Sequence, residues 1–307
     1  MMRALAGLIV AGPLQAVAVV ALCTVLSFLA PPLTSLLSYV GAAALALYSL
    51  HSGAKSGLLV LLGALLATAL LGQLLMHQGS TLAVASLLLW LPVWIAALVL
   101  RATVSLAMAM LVLTGLAMLG VLVVFVLFGD PAPWWKQLLQ GMVDSLVKAQ
   151  PELGEVSGSL SDFVAQTAPL MTGAVAAGLG FAALTSLMLG RWWQSLLVKP
   201  GALRTEFYAL RLNGALSLVG IATVALAAVK LGVVSALATQ WALIAMVVFF
   251  FVGLAVLHAT LANLKAAKAW LIAAYILMSL LPQAMLMVVI TGLLDPWMDL
   301  RRRTARA

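Results

Sequence analysis

The sequence predicts an all-α fold, a polytopic transmembrane helical bundle of about eight to ten crossings. Three observations lead there. Of 307 residues, 65% are apolar and only 8% charged, and mean hydropathy is +1.21, whereas a soluble domain carries about a quarter charged residues. The apolar residues fall into runs close to the ~20 that cross roughly 30 Å of hydrocarbon as a helix. These runs lack the period-two alternation of barrel strands, so their backbone polar groups must be satisfied within helices.

The first run, Leu5–Leu29, follows one base, Arg3, and ends at Ala30-Pro31-Pro32. It is longer than the ~7–15-residue core of a signal peptide, and proline directly follows Ala30, so it reads as a retained span. Leu33–Leu50, Gly57–Met76, Leu82–Leu100 and Val104–Phe128 follow. The segment Gly129–Thr167 then breaks the pattern, holding five of the eight acids (Asp130, Asp144, Glu152, Glu155, Asp162). Within it Trp135, Leu139, Met142 and Leu146 repeat at helical spacing opposite Lys136, Gln140, Asp144 and Lys148. An amphipathic helix along the interface is expected, as a cap over the outer face or a gate over a solute path. The remaining runs are Pro169–Leu189, Leu212–Val229, Ala238–Leu261 and Ala269–Leu294. Small residues at every fourth position, Gly178-Ala182-Ser186-Gly190 and Ala64-Thr68-Gly72, predict close helix contacts inside one chain.

Lys55, Arg101, Arg191, Lys199, Arg204 and Arg211 all fall in gaps on one side of the bundle. By the bias of Lys and Arg toward cytoplasmic loops, the N-terminus and the loop at 191–211 lie in the cytoplasm and 129–167 outside. If every run crossed, the tail Arg301-Arg302-Arg303 with Arg306 would end outside, against that bias. Either one segment does not cross fully, or the chain bends at Pro282 and returns; a cytoplasmic tail is expected. The whole, 1–307, reads as one integral membrane domain.

Chemistry is sparsely represented. The formal charge of +8 is spread thinly, without the aromatic-basic platform that would grip nucleic acid, so no nucleic-acid partner is expected. Cys23 is the only cysteine, which excludes an intramolecular disulfide and predicts a buried, inert thiol. His51, His77 and His258 lie on different segments, the first two at opposite faces, with no metal-ligand spacing. Phosphate-loop and dinucleotide motifs are absent. No metal, cofactor or enzymatic activity is expected.

Two constellations stand out. The first runs from Arg191-Trp192-Trp193 through Lys199-Pro200-Gly201, a turn, to Arg204, Glu206, Phe207, Tyr208 and Arg211. Leu203, Phe207 and Leu210 share one helical face, and Arg204, Tyr208 and Arg211 the other. This is a connector anchored at the lipid surface, or a dock for a membrane or cytoplasmic protein partner or a phosphate-bearing ligand. The second is Gly292, Asp295, Pro296, Trp297, Asp299 and Arg301–Arg303, where ion pairs fix the tail or hold a partner. Polar groups within spans are few: Gln15, Gln73, Asn213, Gln240, His258 and Gln283, with Asn263 near a boundary. An ionisable group in a span is a functional candidate by default, which puts His258 first for solute contact, with Asn263 and Asn213 beside it. No carboxylate sits mid-span, which argues against proton or sodium coupling.

These stretches also carry a family resemblance. Tyr48–Gly57 (YSLHSGAKSG), Leu91–Leu106 (LPVWIAALVLRATVSL), Arg191–Leu212 (RWWQSLLVKPGALRTEFYALRL), Gly253–Ala259 (GLAVLHA) and Gly292–Arg303 (GLLDPWMDLRRR) resemble, in matching order, the YybS-like family of bacterial membrane proteins of unknown function. The third and fifth patches are the more specific. Where the family-like form reads Asn-Pro-Gly-Gly-Phe, this chain has Lys199-Pro200-Gly201-Ala202-Leu203. The family is grouped loosely with the S components of energy-coupling-factor transporters. That likeness implies a bacterial inner-membrane location and a helical bundle that binds a small-molecule solute, without assigning ligand residues. The competing expectation is a non-enzymatic scaffold that docks a partner through the loop and tail.

Overall fold

The computed structural model describes residues 1–29, 35–229 and 231–305, which form helices and no strand. The expected junction at Ala30-Pro31-Pro32 and the tail residue Arg306 lie outside the described residues. The first apolar run is divided: α1 (Met2–Val10) stops before Gly12, and α2 (Pro13–Leu29) restarts at a proline. A residue without an N–H suits the first turn of a helix and not its interior. Cys23 on α2 is half-buried rather than buried.

α3 (Leu36–Ser52) is the centre of the packing, buried continuously from Gly41 to Leu50. Its small side chains let α2, α4 (Ala54–Met76), α5 (Gly79–Thr103) and α9 (Met171–Val198) approach together. The close contacts are real at Gly190 and Gly72. A Cβ on Gly190 would stand 2.7 Å from the Ala43 carbonyl of α3, and one on Gly72 would stand 3.4 Å from Gly79 of α5. Gly178 departs from the expected seam, because its missing Cβ would meet nothing.

α3 to α6 (Leu106–Phe128) form hairpins joined by very short turns. The outer segment folds as α7 (Ala132–Ala149), a 3₁₀ turn at Pro151–Val156, and α8 (Ser157–Thr167). α7 turns otherwise than its expected apolar stripe. Trp135 and Leu139 point inward, while Met142 and Leu146 join Trp134 and Leu138 on an exposed apolar ridge. Gln140, expected among outward polar residues, hydrogen-bonds Ser161 of α8 at 3.1 Å. After α9 come α10 (Ala202–Tyr208), α11 (Gly214–Ala228), α12 (Val233–Asn263), α13 (Lys268–Leu280), α14 (Pro282–Met298) and α15 (Leu300–Ala305).

α4, α5, α6, α12 and the α8–α9 stretch Ser157–Val198 are each long and apolar enough to cross a membrane, five spans among the described residues. The bent pair α13–α14 brings the number to at most six by that measure, below the eight to ten expected. The shortfall arises because α2, α3 and α11 are only 17, 17 and 15 residues long. In the last run, Ala269–Leu294, the chain bends at Pro282, one of the two alternatives its basic tail suggests. Leu281 is extended (φ −124°, ψ 108°), as proline requires of the residue before it, and α13 and α14 meet at 116°. α14 lies along α12 in parallel register, Gly292 against Gly253 and Arg301 against Asn263. The pair therefore enters and leaves at the same end of α12.

Candidate functional site at the basic end

The C-terminal ends of α3, α5, α9, α12 and α14 and the start of α11 gather at one end of the bundle, tied by long-range hydrogen bonds. Arg101 Nη1 donates to the carbonyls of Leu50 and His51, both at 2.8 Å, and Gln194 Nε2 donates to Leu50 at 3.3 Å. These donors satisfy carbonyls that α3 leaves open at its C-terminus, where a cation is also favoured. Arg101 is thus a structural cap rather than a free loop charge.

The loop 191–211 folds back on itself. Pro200-Gly201 is a turn, closed by Ala202 N–H to Lys199 O at 3.2 Å. Gly201 takes φ +87°, a conformation that costs glycine little and other residues more. The turn brings Glu206 back to Arg191, whose guanidinium bonds both carboxylate oxygens, one at 3.0 Å, and also Gln194. The tail locks onto this loop. Asp295, with its side chain fully buried, pairs with the nearly buried Arg301, and Arg301 Nη1 donates to Tyr208 O at 2.8 Å. Arg211 pairs with Asp299 and lies 3.9 Å from Asp295. Arg302 reaches Asp299 at 3.3 Å. At Asp299 burial alone would raise the carboxyl, but the hydrogen bond and charge of Arg211 and the charge of Arg302 hold it below the ordinary aspartate value.

Several expected roles change in this setting. Asn263 is occupied with Arg301 O (3.0 Å) and Thr304 Oγ1 (3.3 Å), so it ties down the tail. Asn213 caps α11, its side chain accepting from Leu216 N–H at 3.0 Å. Neither lines the cavity beside His258. Trp193 is buried in the core, whereas Trp192, one position earlier and about 100° around the helix, is half-exposed. Trp193 is thereby corrected as a docking residue. Lys199 is exposed, and so is Trp297, whose indole lies under Gly214. Arg211 lies beyond the end of α10. Phe207 and Tyr208, expected on opposite faces, both reach His258, with ring centroids 5.8 and 6.3 Å away.

His258 is the solute candidate that meets open space. Its Nε2 is 2.8 Å from the Tyr275 hydroxyl of α13. It lines a cavity of about 270 Å³ with Trp192, Ser195, Leu203, Arg204 and Tyr208. The Arg204 guanidinium stands 5.2 Å above the Tyr208 ring, a cation–π distance. Sequence reasoning missed Tyr275 and Gln194. Tyr275 sits in an apolar run, 17 residues from His258, and no local pattern joins them. Among the described residues no group of three His, Cys, Asp or Glu side chains could hold a metal ion.

No curated protein and no solved structure matches this chain. A family model, described as predicted membrane protein (DUF2232), matches residues 17–296. That range takes in the central helix, the folded-back loop, His258 and the buried Asp295. With nearly its whole length matched, the chain belongs to the predicted membrane protein family DUF2232.

Proposed function

We propose that this chain is a non-enzymatic multi-pass protein of the bacterial inner membrane, its basic end in the cytoplasm, which binds a small anionic solute between Trp192, Arg204, Tyr208 and His258. One observation carries the reading. Arg191, Arg211 and Arg301 each have a carboxylate partner, whereas Arg204 has none among the described residues and stands at the cavity rim. A cation with aromatic walls and a histidine can hold a carboxylate or phosphate by charge-assisted hydrogen bonds. The S-component resemblance points the same way, and translocation would draw its energy from a partner or a gradient. The test is a thermal-shift screen of the purified chain against carboxylate vitamins, nucleotides, amino acids and inorganic phosphate. A hit that disappears in Arg204→Gln and His258→Ala, with both variants folded, supports the site. Silence across the panel sinks it.

Docking of a partner protein is the second reading, favoured by Trp297, Arg302 and Arg303, each exposed in the last turns of the described chain. If Trp297→Ala with Lys199→Gln leaves every in-cell crosslink to the chain unchanged, that reading is dropped.

A further inference from the structure

A much larger space lies in the opposite half of the bundle. A cavity of about 840 Å³ opens between α5, α6 and α9, under the first turn of α7. Its walls are almost wholly apolar, and its polar groups sit at the rim. Asp130 accepts from Ala132 N–H at 3.0 Å, and Trp135 Nε1 donates to Thr172 Oγ1 at 2.8 Å. Along α6 the lining runs from Leu113 to Phe128, about 22 Å at 1.5 Å per residue. That is enough to pass from headgroup level to the midplane of a bilayer about 30 Å thick.

The walls are kept wide by two glycines. In membrane helices glycine commonly marks close helix contact, as Gly190 and Gly292 do here. Gly120 of α6 and Gly180 of α9 both line the chamber, and a Cβ on either would meet nothing within 4 Å. No neighbouring helix explains them. Water is a poor occupant, because a buried water needs two to four polar partners and the wall side chains below the rim are apolar.

We infer that this chamber holds the aliphatic chain of a membrane amphiphile, admitted from the surrounding bilayer, with its head at the rim formed by Asp130, Trp134 and Trp135. The chain chemistry is shared by phospholipids and free fatty acids. Two probes separate them: phosphatidylethanolamine with a diazirine in its palmitoyl chain, and palmitate with the same diazirine. The full chain is reconstituted in phosphatidylethanolamine–phosphatidylglycerol vesicles with one probe, irradiated, and the adducts are mapped. Capture is expected at Leu116 and Leu179 in the chamber, in preference to the exposed Leu62, Leu66 and Leu70 of α4. The preferred probe identifies the head. In Gly120→Phe/Gly180→Phe the preference is lost, while α4 labelling and the thermal midpoint stay unchanged; should the pair fail to fold, Gly120→Leu alone is read. Equal capture on both surfaces, or preference that survives the block, overturns the assignment. Neither result bears on the anionic-solute site at the other end.

Discussion

At the scale of single residues, buried polar groups here act as joints. Gln240, 2% exposed, accepts from Gly173 N–H and donates to Pro169 O, each at 2.6 Å. Pro169 interrupts the helix that becomes α9, and Gly173 lies in the new first turn, where N–H groups have no intrahelical partner. One amide side chain satisfies both sides of that break. Gln240→Ala would strand a donor and an acceptor at once, a loss of about 2–4 kcal/mol, visible as a lower midpoint in reversible unfolding; an unchanged midpoint would refute the joint. Asp295→Asn leaves Arg301 buried against a neutral group and is expected to cost about 3–5 kcal/mol. Asp299, which is partly exposed, should matter much less. Its carboxyl is held below 3.8 by Arg211 and Arg302 despite burial, so its contribution is complete above that value and lost as pH falls through the depressed one. Hydrogen exchange of the 299–303 amides should therefore be flat from neutral pH down to about that point, once corrected for intrinsic rates. Release of the tail at pH 5 would contradict the pairing.

Helices meet most closely where α14 lies against α12. A Cβ on Gly253 would collide with the Val288 carbonyl, and one on Gly292 with the Phe249 carbonyl. Both obstacles are backbone, so neither can yield by changing rotamer. Gly253→Ala and Gly292→Ala are each expected to destabilise by about 1–3 kcal/mol or more. Gly141→Ala, on open α7 with nothing near its Cβ, should instead gain up to about 1 kcal/mol. Equal midpoints for all three variants would show that the crossing is not this tight. The same crossing marks where sequence stops being informative. Apolar runs reveal helices because lipid leaves the backbone no other partner, and Pro282 reveals a break because proline lacks a donor, whereas the division at Pro13 is hidden inside a run that reads as one span. Whether the chain kinks onward or turns back after Pro282 depends on Gly253 and Gly292, 39 positions apart, finding one another. The basic end was legible in the same partial way. Its residues stand out as charges among apolar runs, but which of them pair internally and which stays open depends on the fold of the 191–211 loop.

The whole molecule then has a consistent sidedness. Five helices meet the length and composition of a membrane span; if the shorter α2, α3 and α11 traversed as well and α13–α14 were a re-entrant pair, eight passes would return the tail to the end where α2 begins. Lys55, Arg101, Arg191, Arg204, Lys265 and Arg301–Arg303 all gather there, while Asp130, Asp144, Glu152 and Asp162 occupy the other end. On that count a basic tail would agree with the bias of Lys and Arg near membrane segments, which set orientation far more than acids do. Single cysteines placed in a Cys23→Ser background test it. Replacements at Lys265, at Arg303 and at Lys199 should resist a membrane-impermeant maleimide in intact spheroplasts and react after lysis. A replacement at Gln150, exposed after α7, should react before lysis. If α13–α14 crossed instead of returning, position 303 would react from outside while 265 stayed protected, and that one pattern would overturn the re-entrant reading without disturbing the rest of the bundle.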